Sequence, residues 1–65
     1  MKAYQTKYYG APYGINGEAG ADTTAPQRLA RETLQPGQTM DVYSQGRIVK
    51  RYRCTDGRVS EVEIG

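Results

Sequence analysis

Three arginines set two or four residues apart, Arg47, Arg51 and Arg53, lie in one strand-like run with Tyr43 just upstream. In an extended chain alternate side chains share a face, so Arg47, Arg51 and Arg53 project together and Tyr43 joins them across a turn. Guanidinium groups beside an aromatic ring on a sheet are the chemistry of single-stranded nucleic-acid binders: the cations meet phosphates and the ring meets a base. Asp41, Glu61 and Glu63 fall on the same face and cancel much of its field. The plainer reading is therefore a solvated, ion-paired strand face that also discourages edge-to-edge aggregation.

A second group is Tyr4, Tyr8, Tyr9 and Tyr13, four of the six tyrosines within the first thirteen residues. Tyrosine gives a large contact area at low side-chain entropy cost and is enriched at interfaces. The Gly-rich stretch that follows lets a backbone lie close to a partner. This group points to protein–protein binding. The competing reading is a strand that completes the chain's own core.

Other chemistry is missing. The chain has no His and one Cys, Cys54. This leaves no internal disulfide, no usual zinc-ligand set and no Cys–His or Ser–His pair. Glycines 10, 14, 17 and 20 match no phosphate-binding fingerprint. Ligand clefts typically need ~300 Å³ or more, which a domain this small rarely encloses. The expectation is a non-enzyme with no cofactor and no small-molecule substrate. Cys54 reads as a small buried side chain. No stretch resembles a signal peptide or a membrane span, so a cytoplasmic or particle-bound location is expected.

The elements that position these residues are few. Sixty-five residues allow one domain. There is no Phe or Trp, and the aliphatics are two Leu, three Ile and four Val. Ordering the backbone costs about 1–2 kcal/mol per residue, so such a core needs either a partner or partial disorder. Net charge is +2, with four of the nine bases packed into Arg47–Arg53.

Residues 1–22 read as an extended N-terminal arm or edge strand followed by a Gly-rich loop. Residues 23–65 read as a small module: a helix over 24–34, capped by Thr23 or Thr24 with Gln27 completing a capping box, then strands at 38–44, 47–54 and 58–64. The class is α+β: a three-stranded antiparallel meander with the helix on its apolar face, residues 1–9 as a fourth strand or an arm, and a partly open barrel if the strands curl.

Two turn lengths compete at Ser44–Gly46 and Thr55–Gly57, and a one-residue slip reverses the faces. Three-residue loops segregate polarity better. They place Met40, Val42, Ile48, Tyr52, Cys54, Val62 and Ile64 on one face with Lys50 as the intruder, and they set Arg51 opposite Glu61. That register is the expectation.

The functional expectation is an accessory or structural subunit that binds neighbouring chains of a large assembly through its tyrosine-rich arm, with a minor or cement protein of a viral particle as the leading case. The alternative is a small nucleic-acid-binding or inhibitory regulator acting through Tyr43, Arg47, Arg51 and Arg53.

Overall fold

A computed structural model describes residues 3–64; Met1 and Lys2 of the expected arm and Gly65 at the end of the expected module lie outside the described residues. The described residues form one five-stranded antiparallel sheet and one short helix. The elements are β1 (Gln5–Tyr9), β2 (Glu18–Ala19), α1 (Pro26–Thr33), β3 (Thr39–Ser44), β4 (Arg47–Thr55) and β5 (Arg58–Val62). The order across the sheet is β2-β1-β3-β4-β5. The class is the expected α+β, but the sheet has five strands rather than three or four. β1 is interior, paired to β3 from Gln5–Tyr43 through Tyr9–Thr39 and to β2 at Lys7–Ala19 and Tyr8–Glu18.

The expected register is overturned. Ser44 pairs with Arg47 and Thr55 with Arg58, so both hairpins close with two-residue loops. Gln45 and Gly46 have φ of 54° and 78°, and Asp56 and Gly57 have 52° and 80°. Two consecutive left-handed residues make a type I′ turn, whose twist matches that of the flanking strands. Polarity favoured the longer loop; the twist of the paired strands favours the shorter one.

A bulge then recovers the core. The β3–β4 register shifts between Val42–Lys50 and Tyr43–Ile48, which leaves Val49 as the extra residue. Below the bulge Met40, Val42, Tyr52 and Cys54 face the helix, as expected, and all four are buried. Past it Ile48 moves to the opposite face with Tyr43, and the two-residue turn sends Val62 there too, opposite Arg51. Ile48 and Val62 are half-buried, and Ile64 is exposed. Glu61 crosses to the helix side, opposite Tyr52, where its carboxylate lies 3.9 Å from Lys50 Nζ.

Helix α1 begins one residue later than the threonine caps require. Ala25 is the N-cap with no side-chain cap bond, and the Ala25 N–H donates to Thr23 Oγ1 at 3.0 Å. Pro26 takes the first turn, where its missing N–H costs nothing. The helix buries Ala30 and, just past its end, Leu34, with Leu29 packed beside them. Tyr8 completes this core. It stacks on Tyr13 with ring centroids 5.5 Å apart, and its hydroxyl lies 3.2 Å from Thr33 Oγ1. Tyr4 packs against the same cluster. The tyrosines of the N-terminal segment thus supply apolar area that the chain lacks in Phe and Leu. Cys54 is buried as a free thiol.

Candidate functional site

The helix covers one face of the sheet. Strand alternation places Lys7 and Tyr9 of β1, Asp41 and Tyr43 of β3, Arg51 and Arg53 of β4 and Val62 of β5 on the other. Tyr9, Thr39, Asp41, Arg51, Arg53 and Val62 line a shallow depression of about 400 Å³ there.

Asp41 anchors this face. It is directly opposite Arg51. Arg51 Nε donates to Asp41 Oδ1 at 2.7 Å, and Nη2 donates to Oδ2 at 3.3 Å. This two-pronged geometry is the strong form of the pair. The hydrogen bond and the charge of Asp41 raise the pKa of Arg51 above its ordinary value. Arg51 is therefore committed within the protein. Arg53 and Lys7 pair with no carboxylate among the described residues.

The two tyrosines reach this face from opposite ends of the β1–β3 ladder. Tyr43 has its phenol pKa raised, first by hydrogen bonding with the Tyr9 side chain, then by burial, while Lys7 opposes the shift. Gly17 backs the Tyr9 ring: a Cβ there would come within 2.7 Å of Tyr9 Cε2. Arg58 of β5, opposite Thr55, projects on the same side, so among the described residues this face carries four cations, one carboxylate and two aromatic rings.

Of the four residues read as a nucleic-acid face, Tyr43, Arg51 and Arg53 share a side. Arg47 does not: it pairs with Ser44 beyond the bulge, on the helix-side phase, and is exposed. Glu61, expected to oppose Arg51, is on the helix side. Of the four tyrosines assigned to a partner, Tyr8 is buried, Tyr4 and Tyr13 pack on the core, and Tyr9 joins Arg51 and Arg53. Sequence reasoning missed Lys7 and Tyr9 at this face because β1 carried no registration signal. The alternation in Gln5–Tyr9 was the available cue.

A larger open groove of about 840 Å³ lies on the helix side, between α1 and the β3–β4 hairpin. Among the described residues no group of His, Cys, Asp and Glu could hold a metal ion, and no helix is long and apolar enough to cross a membrane. No protein-family model, curated protein or solved structure matches this chain.

Proposed function

We propose that this protein is a small non-enzymatic binding module whose bare sheet face holds single-stranded nucleic acid. The observation that carries this reading is the charge segregation: among the described residues Arg53 and Lys7 pair with no carboxylate on the face that also holds Tyr9 and Tyr43, while Glu61, expected opposite Arg51 on that face, is turned to the helix side. Unpaired cations serve phosphates, and positioned rings serve bases in a sequence-tolerant way. A strand face of this length spans a few nucleotides.

The test is anisotropy of a labelled single-stranded oligonucleotide titrated at several salt concentrations. Each phosphate contact contributes a slope of about −0.7 in log K against log salt. Lys7→Ala and Arg53→Ala each flatten that slope, whereas Arg47→Ala leaves it unchanged. Tyr43→Ala weakens binding by about 1–3 kcal/mol if one base stacks there. Binding that ignores salt, or no binding to any single strand, overturns the reading.

A second reading keeps the protein as an accessory subunit of a larger assembly, such as a viral particle, gripping neighbours through its N-terminal segment. It is favoured by Ile15, which is 97% exposed at the tip of the loop between β1 and β2.

A further inference from the structure

We infer that the protein associates head to tail with further copies of itself, the Ile15 loop of one copy entering the helix–sheet groove of the next.

The loop is built to present Ile15. The Gly17 N–H donates to Gly14 O at 2.9 Å, which makes Ile15 and Asn16 the central pair of a turn. Ile is a poor residue for such a turn, where Gly, Pro, Asn, Asp and Ser dominate. It gains nothing from the fold, since 97% of its surface is in water. Yet the loop beneath it is fastened. Tyr13 stacks on Tyr8, and the Tyr13 N–H donates to Gly10 O at 2.7 Å. The buried Gln38 donates from Nε2 to Ala11 O at 2.9 Å. A pre-ordered apolar tip loses little entropy on docking.

The groove is the matching surface. Its apolar lining includes Tyr4, Tyr52 and Val49, and Val49 is 43% exposed. Its charged lining is Arg28, Arg31 and Lys50, with no carboxylate. Arg31 has no ion-pair partner among the described residues, and Arg28 and Lys50 hold theirs at 3.5 and 3.9 Å. The loop 10–17 carries no charge, and the residue that follows it, Glu18 at the start of β2, is an exposed carboxylate. An apolar tip with a nearby negative charge thus meets an apolar patch flanked by Arg31, the one lining cation with no ion-pair partner among the described residues.

The two surfaces cannot meet within one copy. The loop follows Tyr9, which pairs with Thr39, and the groove adjoins Tyr4, Ser44 and Val49 at the other end of the same strands. The length of β1, about 3.3 Å per residue, separates them. Because the two patches differ, the contact is heterologous and propagates from copy to copy. None of these side chains belongs to the bare sheet face, so this inference and the nucleic-acid reading fail separately.

Sedimentation velocity and light scattering over a concentration series test it. The average mass of the wild-type protein is expected to rise past the dimer with concentration and to fall as salt is raised. Ile15→Asp and Val49→Asp are each expected to stay monomeric. An equimolar mixture of the two retains one intact tip and one intact groove, so it is expected to form a species of twice the monomer mass and none larger. Arg31→Glu, on the exposed helix surface, replaces Val49→Asp should that variant not fold. A wild-type protein that remains monomeric at millimolar concentration overturns the inference. So does one that stops at a dimer, or association that survives both single substitutions.

Discussion

Asp41 is 3% exposed and faces Arg51 across the β3–β4 ladder, with both carboxylate oxygens accepting from the guanidinium. Removing one partner of such a pair leaves the other poorly solvated. Asp41→Ala is expected to destabilise the protein by about 1–3 kcal/mol. Adding Arg51→Ala to it costs less than the sum of the two single changes, because the pair is already broken. Urea unfolding of the four species measures this.

Gly20 sits against the core side of β1. A Cβ there would overlap the Tyr8 ring at Cε2 and come within 2.5 Å of Thr6 Oγ1. Both neighbours are pinned, Thr6 by donating from Oγ1 to Ala21 O at 2.8 Å. Gly20→Ala is therefore expected to cost about 1–3 kcal/mol through overpacking, seen as a lower melting temperature. Gly14, whose added Cβ meets nothing, is the control.

Tyr8 separates packing from hydrogen bonding. Tyr8→Phe loses only the contact with Thr33 Oγ1 and is expected to cost about 1 kcal/mol or less. Tyr8→Ala removes a buried ring and its stack on Tyr13, for about 3–5 kcal/mol. A small effect of Tyr8→Ala would mean that the N-terminal strand does not contribute to the core. Hydrogen exchange of the β1 amides provides an independent check.

Gln45 occupies a left-handed position, φ 54°, that suits Asn better. Gln45→Asn gives the favoured Asn-Gly pair of a type I′ hairpin and is expected to stabilise by about 0.5–1 kcal/mol. Equilibrium unfolding reads the gain. A loss would argue against the two-residue turn.

Tyr43 has a pKa raised in the folded state, so folding favours its neutral phenol. That contribution to stability is complete below the unfolded value near 10 and is lost as pH rises through the folded value. The protein is expected to lose stability at alkaline pH, and Tyr43→Phe to reduce that dependence. Tyrosinate absorbance followed alongside unfolding resolves it.

Much of this fold is legible in the residues. Met40, Val42, Tyr52 and Cys54 read as inward, and Ala30 and Leu34 read as the helix face that meets them. Part of the candidate site is equally legible, since Tyr43, Arg51 and Arg53 alternate in phase. Arg47 is misplaced from sequence because nothing in Arg47–Arg53 announces a bulge at Val49. Glu61, Val62 and Ile64 are misplaced because the turn at Asp56-Gly57 decides their phase, and a two-residue and a three-residue turn share the same Gly.

The sequence by itself determined the class of fold, the helix and hairpin positions and the absence of His and of a second Cys. These follow from local periodicity, composition and turn chemistry. Only the tertiary structure decided which face each strand residue occupies past a turn or bulge, and that β1 lies inside the sheet. Those outcomes depend on strand twist and on pairing between residues as distant as Gln5 and Tyr43, which no local pattern encodes. The consequence for function is concrete: tertiary pairing turned Tyr8 into core, brought Tyr9 to the arginines and moved Glu61 away from them.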